Sequence, residues 1–327
     1  MDASPETGLP ELENQAFVDW ASGQWGICFQ PGQAHGLIHG SPERALSRGV
    51  ARDDAGNRYL VEKFSKSAVT HKAGIARILR DLRARGLTEV LAPLPGKDQC
   101  LLPGYQDACF QVTRFVDGSV LERPQWLASS EIGEAMAGFL IRMRRCAVGV
   151  PFPRFSLKAY IYRLFKDMAA HSPDRHIQYL PVLRCLEQGF MDAHDRLSVS
   201  FCHGDFHPLN VIWEGHDIKA VIDWEFTGIK PDLYDAANLA GCAGIEYPEG
   251  LAMPMLTAFM GALKTAGLIC PLGWRWLPEY VLALRFAWLS EWLRKNDREM
   301  LDTEYRFMEI LMANLDDLRN IWIEMAD

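Results

Sequence analysis

The chain has 327 residues, of which 49% are hydrophobic and 23% are charged, a balance typical of a globular protein with two domains or two lobes. Its net charge of −8 argues against bulk binding of nucleic acid, which requires a basic surface. The eight cysteines include no Cys-x-x-Cys pair, no apolar run approaches the ~18 residues of a membrane span, and the first residues lack the pattern of a signal peptide. Composition therefore predicts a cytoplasmic protein with no membrane or nucleic-acid partner.

The predicted secondary structure changes character partway along the chain. In chain order, the hydrophobic patterns and turn residues predict a helix over 13–21, strands over 45–52 and 58–64, a helix over 67–86, and strands over 99–105 and 108–115. After residue 118 the pattern is mostly helical, with helices predicted over 130–147, 157–171 and 180–196, a short β-unit over 201–225 and further helices to the end. The sequence therefore predicts an α+β protein with a β-rich domain over 1–115 and a helical domain over 116–327.

Residues 201–225 carry the most specific chemical pattern in the chain. A short apolar strand enters a polar loop that offers Asp205 and Asn210, and the hairpin that follows ends at Asp223. Carboxylate and amide oxygens are the ligands that Mg²⁺ prefers. In phosphoryl transfer, one aspartate orients the attacking hydroxyl, while an asparagine and a second aspartate hold metal against the phosphates. This spacing therefore indicates a phosphotransfer site.

Two other interpretations of the same stretch remain open. His203 and His207 have the i, i+4 spacing of paired zinc ligands on a helix, but the intervening Gly204 and the following Pro208 disfavour a helix there. A non-helical His-x-Asp-x-His set could still serve a metal-dependent hydrolase. The plainest alternative is a polar turn whose histidines are only hydrogen-bonded.

A lysine that could reach nucleotide phosphates is expected on the strand that precedes the second predicted helix. The alternation of this strand places Lys63 on the same face as Val61 and puts Glu62 on the other face. Lys63 is the first candidate, and Lys66 and Lys72 are the fallback candidates. A solvated lysine on an edge strand is an equally common explanation of such a residue.

Three short motifs follow one another in the second half of the chain. They read His203-Gly-Asp-Phe-His-Pro-Leu-Asn210, Val221-Ile-Asp-Trp-Glu225 and Pro231-Asp-Leu-Tyr-Asp-Ala-Ala237. In order and spacing they resemble the motifs of the aminoglycoside phosphotransferase and choline kinase group of small-molecule kinases. The resemblance implies the bilobal protein-kinase-like fold, with a small β-rich N-lobe that has one main helix and a larger, mostly helical C-lobe.

The resemblance also implies a role for each matched position of the catalytic motifs. It implies that Asp205 is the catalytic base for a substrate hydroxyl and that Asn210 and Asp223 hold Mg²⁺ on the phosphates of ATP. It implies that His203 and Asp235 brace the catalytic loop.

For the nucleotide, the resemblance implies three further sets of contacts. Lys63 would contact the α/β-phosphates, and the turn over residues 40–44, which begins with Gly40 and Ser41, would cover the phosphates. The backbone of Arg114, Phe115 and Val116 would meet the adenine.

The predicted function is therefore an ATP- and Mg²⁺-dependent phosphotransferase. It would move the γ-phosphate to a hydroxyl of a small molecule: an amino alcohol, an amino acid, a sugar or an aminoglycoside. The helix predicted over 67–86 carries no glutamate where the partner of the nucleotide lysine is expected, and Ile75 falls near that place. A nucleotide-binding pseudokinase or regulatory module is therefore an alternative, and a metal-dependent hydrolase is a less favoured one.

Overall fold

The computed structural model describes residues 8–41, 44–149, 152 and 154–324, and within them it is an α+β protein, as the sequence predicts. Its β-strands are β1 (Ser47–Arg52), β2 (Arg58–Ser65), β3 (Gly104–Tyr105), β4 (Ala108–Arg114), β5 (Val199–Cys202), β6 (Val211–Glu214), β7 (Asp217–Val221) and β8 (Gly228–Pro231). Its α-helices are α1 (Gln15–Trp25), α2 (Val69–Ala84), α3 (Ser130–Cys146), α4 (Leu157–His171), α5 (Pro173–Glu187), α6 (Phe190–His194), α7 (Tyr234–Glu246), α8 (Pro254–Thr265), α9 (Pro271–Lys295), α10 (Arg298–Ala313) and α11 (Leu315–Glu324).

The chain divides into two compact units. The first unit consists of the residues up to Val120 together with Pro208–Glu225, and the second unit consists of Leu121–His207 and the residues from Phe226 onward. The division predicted at residue 115 lies close to the first of these boundaries. The hairpin of β6 and β7, which the prediction placed in the helical domain, packs with the first unit.

A four-stranded antiparallel sheet in the order β1-β2-β4-β3 forms the centre of the first unit. Its register places Glu62 of β2 between Arg48 on β1 and Gln111 on β4. Side chains alternate along β2, so Tyr59 and Val61 are buried on one face while Glu62 lies on the other. The two faces of the sheet are therefore chemically different.

Helix α1 covers the face that carries Tyr59 and Val61. Its start is capped by the Asn14 side chain, which accepts the Ala16 N–H at 2.9 Å, and it ends at Gly26, whose φ is 64°. The buried residues of this core are Leu9, Leu12, Phe17, Val18, Ala21, Trp25, Phe29, Ala51, Tyr59, Val61, Ala108, Phe110 and Val112. Burial of a large apolar side chain contributes about 1.5–3 kcal/mol, so this face is the main core of the first unit.

Helix α2 packs on the other side of the sheet. Its buried residues include Ile75, Ile78, Leu79 and Leu82, which is the apolar stripe that the sequence predicts. A small cluster that includes Phe64 from β2 and Ala76 from α2 joins the helix to the sheet.

The second unit is mainly helical. Helix α3 lies so close to α8 that a Cβ on Gly133 would lie 2.1 Å from the Met255 carbonyl oxygen. Helix α9 is buried without interruption from Leu277 to Phe286, as expected of a helix in the middle of a bundle. Strands β5 and β8 pair antiparallel beside these helices, with Phe201 opposite Ile229.

Two predicted elements differ from the observed ones. The helix predicted over 180–196 is two helices, because Gly189 adopts a φ of 117° that ends α5 and begins α6. The strand predicted over 99–105 is reduced to Gly104–Tyr105. Within the residues that the structure describes, no helix has both the length and the apolar character needed to cross a membrane.

Candidate active site

The hairpin of β6 and β7 brings Asn210 and Asp223 to the same end of two paired strands. A short 3-10 turn, Pro208–Asn210, leads into β6, and Asp223 follows shortly after β7. The Ile222 N–H donates to the Asn210 carbonyl oxygen at 3.0 Å, which joins the two arms at this end. The Trp213 indole N–H donates to the Pro208 carbonyl oxygen at 3.2 Å and fixes the turn. The pairing of β6 with β7 therefore places the amide residue Asn210 and the carboxylate residue Asp223 at the same end of the hairpin.

Asp223 lies against the turn that begins with Gly40 and Ser41. The Ser41 N–H donates to Asp223 Oδ2 at 2.9 Å. Gly40 has a φ of 88°, and a Cβ there would lie 2.9 Å from Asp223 Oδ1, so only glycine allows this approach. Asp223 itself has a φ of 61°, a left-handed conformation that costs a non-glycine residue about 1–3 kcal/mol and that is often found at functional sites. The structure thus brings the predicted phosphate-covering turn to the predicted metal ligand.

Arg48 holds this turn from inside the first unit. Its guanidinium donates to the carbonyl oxygens of His39 at 2.9 Å and Gly40 at 2.6 Å. Arg48 is only 5% exposed, and burial lowers its pKa, while the negative charges of Glu62 and Asp223 oppose that shift. The sequence contained no signal for this arginine beyond its place on the first strand.

The donor set at the end of the hairpin fits a divalent ion. One carboxylate and one amide oxygen are the kind of ligands that Mg²⁺ takes beside phosphate oxygens and water. Among the residues described, no group of three or more His, Cys, Asp or Glu is arranged to hold a metal by itself. An ion at Asn210 and Asp223 would therefore complete its coordination with oxygens from outside the protein.

A cavity within the first unit borders this end of the hairpin. Its wall includes apolar residues such as Leu60, Phe64 and Leu79. The charged side chains that line it are Arg44, Arg48, Glu62, Lys72, Asp223 and Glu225. We call it the charged cavity.

The wall of the charged cavity that β2 contributes carries a glutamate. Glu62 is partly buried, and this burial raises its pKa, while the positive charges of Lys72 and Arg48 act in the opposite direction. From α2, the Lys72 Nζ lies 2.5 Å from Glu225 Oε2 and 4.6 Å from the centre of the Phe64 ring. A carboxylate on the strand and an ammonium on the helix therefore line the same cavity.

Lys63 lies on the opposite face of the sheet. Its ammonium pairs with Glu11, in the short 3-10 turn Pro10–Glu13 beneath α1. It shares this face with Tyr59 and Val61, which belong to the core, and the structure does not bring it to the charged cavity. The apolar neighbours in the alternation already indicated the core face, and the sequence interpretation took that face for the functional one.

The other fallback lysine, Lys66, also lies outside the charged cavity. Its side chain is 61% exposed and lies 3.5 Å from Asp107. Of the three lysines considered, only Lys72 lines the charged cavity, which Asp223 also lines.

The segment predicted to meet adenine follows β4 directly. The Phe115 N–H donates to the Arg58 carbonyl oxygen at 3.0 Å, which extends the pairing of β4 with β2 past Arg114. The Arg58 guanidinium lies 4.7 Å from the centre of the Phe115 ring and pairs with Asp117. The backbone of Arg114–Val116 is therefore held at the end of β4, beside the start of β2.

In the second unit, Asp205 lies in a loop held by backbone hydrogen bonds. Asp235 accepts the N–H groups of His203 at 3.0 Å and Gly204 at 2.8 Å, and Asp235 is fully buried. The Asp205 N–H donates to His203 Nδ1 at 3.2 Å. These contacts are the bracing that the motif resemblance implies for His203 and Asp235.

Gly204 is required by this loop. Its φ is 88°, and a Cβ at this position would lie 2.1 Å from the Phe226 carbonyl oxygen. On the far side of Asp205, the Asn238 side-chain amide donates to the Phe206 carbonyl oxygen at 3.3 Å. Asp205 is thus positioned by main-chain contacts on both sides.

The two histidines of the loop have separate surroundings. His203 accepts a hydrogen bond from within the loop through Nδ1, while His207 Nε2 lies 3.4 Å from Asp205 Oδ1. His207 also lies beside Trp288, with 6.4 Å between ring centres. These contacts favour a loop braced by histidine over a histidine metal site.

Similarity to characterised proteins agrees with this geometry. A segment of 179 residues is 29% identical to a homoserine kinase from Rhodospirillum rubrum, and it covers 53% of this chain and 52% of that protein, so the chain matches about half the length of this relative. An amicoumacin kinase solved with AMP-PNP, Ca²⁺ and Ami superposes with a TM-score of 0.68 at 16% identity, over 93% of this chain and 95% of that one. An aminoglycoside phosphotransferase from Alicyclobacillus acidocaldarius superposes with a TM-score of 0.63 at 17% identity, over 91% and 96% of the two chains.

At such low identity the superpositions establish the fold, which is the protein-kinase-like fold that the motifs imply. A model of the Phosphotransferase enzyme family matches residues 42–280, well over half of the chain, and this range contains all three motifs. The resemblance seen in those motifs is therefore confirmed, and this chain belongs to the Phosphotransferase enzyme family.

Proposed function

We propose that this protein transfers the γ-phosphate of ATP, with Mg²⁺, to a hydroxyl group of a small molecule. The observation that carries the proposal is the carboxylate and amide of Asp223 and Asn210 at one end of the β6–β7 hairpin, with the glycine-containing turn at Gly40 and Ser41 against the carboxylate. Such an arrangement would hold a metal ion, which would neutralise negative charge on the phosphates.

The first unit supplies the nucleotide contacts in this proposal. Asn210 and Asp223 hold Mg²⁺, and the backbone at Gly40 and Ser41 covers the phosphates. The backbone over 114–116 meets the adenine, as an extension of the β2–β4 pairing. Bound Mg²⁺ supplies neutralisation of the charge that develops on the phosphoryl oxygens.

The second unit supplies the base. Asp205 accepts the proton of the acceptor hydroxyl as the hydroxyl oxygen forms a bond to the γ-phosphorus. The bond between that phosphorus and the oxygen of the β-phosphate breaks, and ADP leaves with the electron pair. The bracing by Asp235 holds the Asp205 backbone in place, and this preorganisation avoids reorganisation during the reaction.

The acceptor is proposed to be a hydroxylated metabolite or antibiotic. The relatives named above are a homoserine kinase, which matches by sequence, and an amicoumacin kinase and an aminoglycoside phosphotransferase, which match by structure. L-Homoserine is therefore the first probe, followed by amino alcohols, sugars and aminoglycosides. Because the reaction consumes ATP, we expect it to take place in the cytoplasm.

Replacing Asp205 with alanine tests the proposal. We expect ADP formation with the best acceptor of the panel to fall about 10²–10⁴-fold, because general-base catalysis is lost, while AMP-PNP·Mg²⁺ binds with unchanged affinity. Asp217→Ala is the control, since Asp217 is an exposed carboxylate at the start of β7. Full activity of the Asp205→Ala variant would contradict the assignment of the base.

The pseudokinase alternative gives a different result in the same assay. It predicts that the unmodified protein binds AMP-PNP·Mg²⁺ but releases no ADP with any acceptor. The hydrolase alternative predicts stoichiometric zinc or iron in the purified protein, which elemental analysis would detect.

A further inference from the structure

The charged cavity is lined by one charged side chain from β2 and one from α2, and their signs are exchanged relative to the usual kinase arrangement. In protein kinases a lysine on a sheet strand contacts the phosphates, and a glutamate on the adjacent helix pairs with it. Here the strand residue that faces the cavity is Glu62, and the helix residue that faces it is Lys72. The helix therefore lacks the expected glutamate, and the strand lacks a lysine on its cavity face, because the acid lies on the strand and the cation lies on the helix.

We propose that Lys72 on α2 is the phosphate-binding lysine of this protein and that Glu62 and Glu225 are the residues that position it. This inference rests on the function proposed above. The phosphate-binding lysine, which the family pattern places on a strand, would then lie on helix α2.

The position of Lys72 on its helix supports the assignment. Lys72 and Ile75 are separated by three residues, so they lie on the same face of α2, and both line the charged cavity. Ile75 is buried and occupies the place where a glutamate was expected. The charged residue on this face of α2 is Lys72, which lies about one turn nearer the start of the helix.

The side chain of Lys72 is held in a defined direction. Its ammonium is 2.5 Å from Glu225 and lies over the Phe64 ring, and the side chain is only 13% exposed. A lysine ammonium carries three donors, so it can keep its bond to Glu225 and still donate to a phosphate oxygen. Glu225 Oε1 is also 3.2 Å from His71 Nε2, so this carboxylate has a second polar neighbour besides Lys72.

Glu62 completes the arrangement from the strand. It lies opposite Arg48 in the register of β1 and β2, and Arg48 holds the turn that contacts Asp223. Glu62 therefore lies between the cation proposed to bind phosphate and the cation that fixes the phosphate-covering turn. A carboxylate at this place attracts both cations, whose positive charges oppose the rise that burial causes in its pKa.

Methionine substitutions at two lysines separate this proposal from the alternative. Lys72→Met should weaken binding of AMP-PNP·Mg²⁺ by about 10–100-fold, the loss expected when a hydrogen bond from a charged donor is removed. Lys63→Met is the matched control, because it removes a paired lysine of the neighbouring strand on the other face of the sheet, and its affinity should stay within about twofold. Isothermal titration of the full-length protein measures both.

A purely structural role for Lys72 would fasten α2 to the hairpin through Glu225. In that case Lys72→Met would lower the melting temperature of the protein without nucleotide but leave the affinity of the folded protein unchanged. Unchanged affinity for AMP-PNP·Mg²⁺ would overturn the proposal.

A charge exchange tests the role of Glu62. Lys72→Glu alone should weaken binding of AMP-PNP·Mg²⁺ more than Lys72→Met does, and Glu62→Lys combined with Lys72→Glu should recover at least about tenfold of that loss, because the strand lysine and helix glutamate of the usual arrangement are restored. A double variant no better than Lys72→Glu would overturn the pairing of these two positions.

The outcomes also separate this inference from the proposed function. If the unmodified protein fails to bind AMP-PNP·Mg²⁺, both proposals are wrong. If it binds the nucleotide and releases ADP while Lys72→Met behaves like the unmodified protein, only the assignment of Lys72 is wrong.

Discussion

The acidic groups of the two units are held in place by different means. In the second unit, Asp235 accepts backbone N–H groups from His203 and Gly204, and no long side chain takes part in these two contacts. In the first unit, Glu225 is held by the long side chain of Lys72. One set of contacts is fixed by the path of the main chain, and the other can break and re-form as side chains rotate.

This difference corresponds to the roles proposed for the two units. A base must occupy one position in every turnover, and main-chain hydrogen bonds in a buried loop provide that. Groups that receive and release a charged nucleotide must exchange partners, and side-chain ion pairs can do so. We therefore expect substitutions in the loop of the second unit to reduce stability, and substitutions in the charged cavity to change binding.

The largest loss of stability is expected for Gly204→Ala. A Cβ there would lie 2.1 Å from the Phe226 carbonyl oxygen while φ is 88°, so neither the space nor the backbone conformation suits alanine. We expect a loss on the order of 3–5 kcal/mol in the free energy of unfolding, measured by urea denaturation.

The control for this substitution is Gly215→Ala. Gly215 has a φ of 63°, but no heavy atom lies within 4 Å of the point that its Cβ would occupy, so it shares the backbone strain without the clash. It should cost only about 1–2 kcal/mol. Equal losses for the two variants would show that strain alone, and not close packing of the loop, determines the effect.

A smaller loss is expected for Asp235→Asn. The amide keeps one acceptor oxygen but turns an NH₂ group towards a buried backbone N–H of His203 or Gly204. An unsatisfied buried donor costs about 1–3 kcal/mol, so the melting temperature should fall and activity should fall with it. Asp192→Asn, at an exposed position of α6, is the control. A normal melting temperature for Asp235→Asn would argue against backbone bracing as the main function of this carboxylate.

Much of this architecture was predictable from the sequence, and the reasons are local. The hydrophobic patterns indicated α1 and α2, and the motif spacing indicated the loop at Asp205 and the hairpin at Asp223. These features depend on residues close together in the chain. The two-unit division was harder to predict, because the hairpin pairs with residues that lie far earlier in the chain, through the bridges of Trp213 with Ser119 and of Val221 with Val90.

The strand lysine illustrates what local patterns cannot show. Alternation correctly separates Lys63 from Glu62, but it does not say which face of a strand meets a helix and which meets a cavity. That depends on α1, which covers the Lys63 face, and on α2, which brings Lys72 to the Glu62 face. Only the assembled first unit shows that the charges of the expected pair are exchanged.

The smallest effect on stability, and one of opposite sign, is expected for Glu62→Gln in the first unit. Burial raises the pKa of Glu62 above its ordinary value of 4.5, so the folded protein holds this proton more tightly than the unfolded chain does. The contribution of Glu62 to stability is therefore fully present below its unfolded pKa and is lost as the pH rises through the folded one. Glutamine does not titrate, so Glu62→Gln should melt at a higher temperature than the unmodified protein at pH 8 and lose this advantage near pH 4.

The same variant should bind AMP-PNP·Mg²⁺ more weakly, because Lys72 loses one of its positioning carboxylates. Glu249→Gln, at an exposed position, should show neither change. A melting-temperature difference that stays constant from pH 4 to pH 8 would show that ionisation of Glu62 is not its source, whereas a pH-dependent gain in stability with a loss of affinity would mark the first unit as the part of the molecule in which stability is given up for binding.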